Sequence, residues 1–324
     1  MGNFIGFQVF KIQVDSRKFF NLVRENKYTS GRPFCPKCKY TKIKVLRKKQ
    51  GQKFYYCPRC RRDHKNPYFN DLTGTAFEGL RISIEKIVLL MMCFCENNSA
   101  LQSMKSINGK FKNKISYSTV WKVFHIFRNS IAKNNDAEEI ENDVWELDEV
   151  YVGCRHQSWK GLTTKRTMRE RMPIKRGRGS DFKVCVLNMV SRFDTPKQIK
   201  FKVIEHVSSE AIQEAIQEKL GKTPFVAYSD EFRSYRYLKK ETRHRPVNHH
   251  GKNLKSCAKG GISWTDDATG AHTNTVESWH SFIRFSWAKY RMIGAEYLEK
   301  YLHEFYWKFR GGHDERGLLR VCLS

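Results

Sequence analysis

Cys35-Pro36-Lys37-Cys38 and Cys57-Pro58-Arg59-Cys60 stand 18 residues apart, and this C-x2-C-x18-C-x2-C spacing is what a structural zinc site requires. Two tight turns each present two thiolates to one tetrahedral ion, so residues 28–70 have to fold back on themselves. The intervening Ile43 to Arg47 and Lys53 to Tyr56 read as a hairpin that carries the second turn to the first. Cys35, Cys38, Cys57 and Cys60 are therefore the expected ligands of one Zn2+ ion, with His64 near enough to weigh as a substitute. The alternatives are a redox pair, which would not come doubled at this spacing, and a disulfide knot. Cys93, Cys95, Cys154, Cys185, Cys257 and Cys322 show no framework spacing, which points to a reducing compartment.

The 324 residues carry 60 Lys+Arg against 33 Asp+Glu, a formal charge of +27, and such an excess calls for a polyanionic partner. Nucleic acid is expected rather than a membrane. The longest apolar run, Ile87 to Cys95, is nine residues against the roughly 20 needed to span a bilayer. Gly6 stands where a myristoylation signal has Ser or Thr, and no basic segment leads into an apolar run and cleavage site. An intracellular protein is expected. The ribbon itself is basic, with Lys37, Lys39, Lys42, Lys44, Arg47, Lys48, Lys49, Lys53, Arg59, Arg61 and Arg62 interleaved with Tyr40, Tyr55 and Tyr56. Either a solvated charged face or a DNA contact gives that pattern, and the charge of the whole chain favours DNA.

Five segments follow from patterning: an N-terminal segment (1–27), the ribbon (28–70), a helical region (71–135), a catalytic domain (140–312) and a C-terminal tail (313–324). In the helical region, Ile84, Ile87, Val88, Met91 and Met92 recur at helical spacing behind Ser83 as N-cap. A second helix over Ala100 to Ile107, a loop at Asn108-Gly109 and a third helix starting near Ser116 or Ser118 match a helix-turn-helix, or equally a plain helical bundle. Asn134 to Glu139, polar and acidic, reads as a linker.

From Val144 the period changes from helical to two. Trp145, Leu147 and Glu149 face one way, and Glu146, Asp148 and Val150 the other. Phe182 to Val190 and Ile199 to Val207 continue as strands, Ser208 or Ser209 caps a helix over Glu210 to Leu220, and a strand from Pro224 to Tyr228 delivers Asp230. A later helix carries Glu277. The order β-β-β-α-β-α, with acids on the first strand, after the fourth and on the late helix, is that of a ribonuclease H-like α/β fold: a mixed sheet with flanking helices, preceded here by the ribbon and the helical domain. Three carboxylates meeting in this way suit two Mg2+ or Mn2+ ions, which take hard oxygen ligands, and phosphoryl transfer on a polynucleotide. Asp148 would bridge both ions, Asp230 would hold one and Glu277 the other. Taken singly, each acid is ordinary, since Asp is common at strand ends and Glu on helix surfaces.

Asp148-Glu149-Val150-Tyr151-Val152-Gly153, Ser229-Asp230 and His272-Thr273-Asn274-Thr275-Val276-Glu277-Ser278-Trp279 resemble the blocks of DDE transposases of the Merlin superfamily and of related bacterial insertion-sequence transposases. Thr73 to Glu78 and Tyr301 to Arg310 add two more blocks in the right order, so the resemblance spans about Cys35 to Arg310. It implies a DNA transposase that binds the terminal inverted repeats of its own element, cleaves to leave a 3′-hydroxyl and joins that end to target DNA, working as a homo-oligomer on paired ends. Some relatives have Asn for the third acid, which makes Asn274 the alternative to Glu277. The family's Lys seven residues beyond the acid is Arg284 here, and Arg284 and His280 are expected DNA contacts. Between the first two strands, Arg155 to Ser180 holds nine basic residues and one acid, so Lys175, Arg176 and Arg178 belong to an arm expected to grip the phosphate backbone. A Merlin-like protein would be nuclear, and an insertion-sequence protein would lie in the bacterial cytoplasm. A domesticated DNA-binding protein and a nuclease without strand transfer remain the alternatives.

Overall fold

A computed structural model describes residues 16–28, 31–140, 143–155, 183–192, 197–204, 207–221, 225–230, 234–235, 238, 243–247, 272–290, 293–312 and 314–323. The chain divides into two compact units, residues 1–134 with 312–324, and residues 135–311.

The first unit begins with α1 (Ser16–Lys27), which buries Phe19, Phe20 and Val23. A three-stranded antiparallel sheet follows, β1 (Lys44–Lys49), β2 (Gln52–Tyr56) and β3 (Tyr68–Asn70), with the short α2 (Pro58–Arg62) between its second and third strands. The expected hairpin is present and gains a third strand. Its two-residue turn, Gln50-Gly51, has φ of 50° and 90°, the double left-handed geometry that a twisted hairpin favours. A Cβ on Gly51 would lie 2.8 Å from the Arg17 Cα, so glycine is required there twice over. Asp71 is fully buried and accepts from Tyr55 Oη, Lys53 N and Arg24 Nη1 at 2.7–2.8 Å, which ties the sheet to α1.

Three helices follow the small sheet in this unit: α3 (Ile84–Cys95), α4 (Ala100–Lys110) and α5 (Tyr117–Asp136), with Phe94 edge-on to Phe124 and Phe127. The loop expected at Asn108-Gly109 lies one turn later. α4 runs through both residues because the Asn108 side chain accepts from Ile115 N at 2.8 Å and donates to Ile115 O at 2.9 Å, bracing the turn beyond the helix end. The third helix starts where expected, with Ser116 Oγ accepting from Thr119 N. The expected linker is partly helical, since α5 reaches Asp136, and Glu138 is held by Tyr306 Oη and Arg310. The expected C-terminal tail forms a helix, α9 (Glu315–Leu323; α6 to α8 are given below), which buries Leu318, Leu319, Cys322 and Leu323 and packs on α3 and α1.

In the second unit, β4 (Val144–Arg155), β5 (Lys183–Ser191), β6 (Ile199–Ile204), β7 (Val226–Asp230) and β8 (Arg243–Val247) lie in the order β6-β5-β4-β7-β8. β4, β5 and β6 are antiparallel, whereas β7 and β8 run parallel to β4, and this order and sense are those of the ribonuclease H sheet. α6 (Ser209–Leu220), capped by Ser208 as expected, covers one face, packing Ile212, Ile216 and Leu220 on Trp145, Leu147, Leu187 and Met189. α7 (Asn274–Tyr290) and α8 (Leu298–Phe309) cover the other, where Trp279, Ile283, Leu302 and Phe305 meet Val150, Val152, Val186 and Val190. The short β9 (Ile293–Gly294) pairs with the far end of β4.

A buried ion pair within α8 also receives a hydrogen bond from the end of α7. Glu304 is fully buried, accepts from Lys308 Nζ at 2.5 Å and from Tyr290 Oη at 2.8 Å, and Lys308 is 3% exposed. Lys308→Met removes the cation and leaves the carboxylate in a dry site, so we expect a loss of about 3–5 kcal/mol in a denaturant titration. Replacing both partners by apolar residues should recover most of it; equal loss in the double variant would contradict this reading.

Candidate active site and zinc centre

The β4 alternation sends Glu146, Asp148, Val150 and Val152 toward α7 and Trp145 and Leu147 toward α6, as their burial partners show. β7 pairs with β4 in parallel register as far as Glu146 opposite Tyr228; Asp148 and Asp230 each lie two residues beyond that last pair, Asp230 at the end of β7, and are near enough for their charges to interact. Residues paired in parallel point to the same face, so both acids point toward the helix that carries Glu277. Glu277 lies in the first turn of α7, half-buried, with Thr273 Oγ1 3.4 Å from its Oε1.

Asp148 senses the charges of the other two acids. The Asp148 carboxyl is 28% exposed; its removal from water, and then the charges of Glu149, Asp230 and Glu277, push it up to about 7 against the Glu149 backbone N–H, which donates to Oδ1 at 2.8 Å. Like-charged carboxylates gathered at one strand end in this way suit divalent cations with oxygen ligands, which would neutralise them. Among the described residues, the four thiols are the set of three or more His, Cys, Asp or Glu ligand atoms drawn within 4.8 Å of one another, so the three acids stand more loosely.

Several contacts hold α7 on the sheet, and the sequence alone had assigned none of them. His280 Nδ1 lies 3.4 Å from Asp148 Oδ2, Trp279 Nε1 donates to Asn188 Oδ1 at 2.8 Å, and Trp287 Nε1 donates to Gly153 O at 2.9 Å. Asn188 is itself the β5 residue directly opposite Asp148. His280 is 2% exposed, and burial, with Arg284 nearby, lowers its pKa to about 3, so the ring is neutral. A DNA contact was expected of it; the structure instead places it inside, against β4. Arg284 is exposed on α7, and Asn274 is the first residue of that helix, half-buried. Lys175, Arg176 and Arg178 lie outside the described residues.

At the other site, Cys35 Sγ and Cys60 Sγ are 3.6 Å apart and Cys38 Sγ and Cys57 Sγ 3.5 Å. Sulfurs 2.3 Å from a tetrahedral zinc are about 3.8 Å apart, so the four thiols already have nearly the required spacing. Both turns are braced from within: Cys35 O accepts from Lys39 N at 2.8 Å, and Cys57 Sγ from Cys60 N at 3.4 Å. Burial raises the Cys38 thiol, but the Tyr40 backbone N–H and the other thiols outweigh it and hold the group down at about 7, toward the thiolate that a metal needs. This cluster could hold a metal such as zinc. His64 is exposed and outside it. Among the described residues no helix is long and apolar enough to cross a membrane.

Similarity to known proteins agrees with this geometry. The chain is 23% identical over 300 residues, 91% of each chain, to an uncharacterized protein in transposable element ISH50 of Halobacterium salinarum. A pre-cleavage Mos1 transpososome (12% identity, 73% of this chain and 96% of that chain, TM-score 0.27) and the Mos1 strand transfer complex (12%, 74% and 96%, TM-score 0.28) are distant structural matches, and the fold assignment rests on strand order and register instead. Residues 142–310, more than half of the chain and all three acid blocks, match the ISXO2-like transposase domain, and the protein belongs to this family of DDE transposases.

Proposed function

We propose that this transposase cleaves DNA at the ends of its element and joins the 3′-hydroxyl to target DNA at a single site built from Asp148, Asp230 and Glu277. The observation that supports this reading is that Asp148 and Asp230, each two residues beyond the last pair of β4 with β7, and Glu277 in the first turn of α7 are near enough for the two other charges to raise the Asp148 carboxyl. Asp148, whose carboxyl feels the charges of both other acids, would with Asp230 and Glu277 supply the oxygen ligands that hold two Mg2+ or Mn2+ ions. When bound, such ions polarise the scissile phosphate and favour ionisation of the attacking hydroxyl of water or of the DNA end. The protein's own part is positional. Asp148 is fixed by the Glu149 N–H and by neutral His280, and α7 is clamped to the sheet by two indole N–H groups, so the strand and the helix that carry these acids are held together.

DNA is the expected partner at the ribbon as well. β1 exposes all six of its residues, Lys44, Val45, Leu46, Arg47, Lys48 and Lys49, on the edge of the small sheet, with Arg47 stacked 4.6 Å from the centre of the Phe54 ring. A row of cations on an edge strand suits a phosphate backbone and discourages pairing with another sheet. Assembly of two or more copies on paired ends belongs to the same reading.

The test is strand transfer by purified protein with Mg2+ or Mn2+ on a labelled duplex carrying the repeats that flank its gene. Joined products that vanish in Glu277→Gln and persist in Asn274→Ala are expected. The reverse pattern would make Asn274 the third ligand, cleavage without joining would indicate a nuclease, and end binding with neither would leave a DNA-binding protein.

A further inference from the structure

Glu146 is fully buried, two residues before Asp148 on the same face of β4, yet the chemistry proposed above does not use it. Its Oε2 accepts from Thr275 N at 2.8 Å and Val276 N at 3.0 Å, and its Oε1 accepts from Thr275 Oγ1 at 2.8 Å. Arg192 Nε lies 3.6 Å and His272 Nδ1 3.2 Å from the same Oε1. Thr275 and Val276 are the second and third residues of α7, and their N–H groups are among those a helix leaves unsatisfied at its start.

A Ser, Thr or Asp at the N-cap usually bonds these groups from within the segment. Thr273 occupies that position here, but its hydroxyl is directed toward Glu277 Oε1 instead. The cap comes from a strand 129 residues away in sequence. Burying a carboxylate to do what a local threonine could do is costly, because the charge must leave water. A distant cap gains what a local one cannot: it ties the first turn of α7, and with it Glu277, to a point on β4 two residues from Asp148.

We propose that Glu146 is a positioning residue that sets the register between the helix of the third acid and the strand of the first, so that the metal ligands converge. This rests on the reading of Asp148, Asp230 and Glu277 as ligands. The contacts of Trp279, His280 and Trp287 with the sheet do not involve Glu146, so loss of the cap should loosen the first turn without releasing the helix.

Two variants separate reach from charge. Glu146→Gln loses the charge but keeps an oxygen that can accept from both backbone N–H groups; Glu146→Asp keeps the charge but is one methylene short. With zinc-loaded full-length protein, Mn2+ binding is followed by electron paramagnetic resonance and the exchange of the 274–278 amides by mass spectrometry, with Asp148→Asn as control. Glu146→Asp should bind Mn2+ roughly 10–100-fold more weakly, the range expected when a residue that orients metal ligands is altered, and should exchange these amides faster, with Glu146→Gln close to wild type in both. Loss in Gln with retention in Asp would mean that the charge matters and the cap does not. Faster exchange in Asp at unchanged Mn2+ affinity would reduce Glu146 to a helix cap. Either result overturns the proposal. Unchanged Mn2+ binding in Asp148→Asn would instead overturn the ligand assignment beneath it.

Discussion

Asp148→Asn should abolish Mg2+-dependent strand cleavage, a fall of roughly 10^3-fold or more, while affinity for end DNA stays at the wild-type level. The size follows from the proposed role: a carboxylate that would hold the catalytic cations supports several kcal/mol of transition-state stabilisation, and every 1.36 kcal/mol is about tenfold in rate. The selectivity follows from the shape. Asparagine has the same outline, and its Oδ1 can still accept from the Glu149 N–H. Because burial and the neighbouring acids already push the Asp148 carboxyl up, removing its ionisation relieves a cost, and thermal stability without divalent ions should be unchanged or higher. Cleavage rates with Mg2+, end binding measured with Ca2+ and a melting curve without divalent ions test the three parts separately. Substantial cleavage by the variant would refute the assignment, and a large drop in stability would mean that Asp148 is structural.

The sequence was most readable where one local pattern decides the structure. Alternation put Asp148 on the same face of β4 as Glu146 and Val150, a capped amphipathic stretch marked α6, and a short strand led to Asp230. The fifth strand, Arg243 to Val247, escaped because its composition argues against a strand: two Arg, a His and Pro246. It lies at the sheet edge, the place where a missing N–H is tolerated. The last helix was taken for a tail because nine residues of mixed Arg, Gly and Leu are too short to form a helix alone, and packing on α1 and α3 supplies what propensity does not. Glu146 was read onto the same face as Asp148 but given no role, since its donors come from Thr275 and Val276, far along the chain. His280 and Arg284, three and seven residues after Glu277, were both taken for DNA contacts. Helical spacing gives angles about the axis but not how far the sheet reaches along it, and the sheet covers His280 and leaves Arg284 exposed.

Metal removal should have the largest structural effect. Of the five residues that form the buried cluster of the ribbon, Cys35, Tyr55, Cys57, Cys60 and Phe69, three belong to the proposed zinc site, so without an ion the ribbon's apolar core is reduced to the stacked Tyr55 and Phe69 rings. Structural zinc contributes an apparent 10–16 kcal/mol in small zinc domains, far more than those two rings supply. A strong zinc chelator, or Cys57→Ser, should therefore release the amides of residues 44–70 to rapid exchange. The helices α3 to α5 have their own aromatic contacts between Phe94, Phe124 and Phe127 and should keep their protection. Binding to end DNA should weaken at the same time, with a shallower salt dependence, because the cations on β1 would no longer be held in a row. The two readouts constrain each other. If the 44–70 amides stay protected after zinc is shown to be gone, Asp71 and its bonds to Arg24, Lys53 and Tyr55 hold the ribbon without metal; if protection is lost but DNA affinity and its salt slope are untouched, the ribbon is folded by zinc but does not contact DNA.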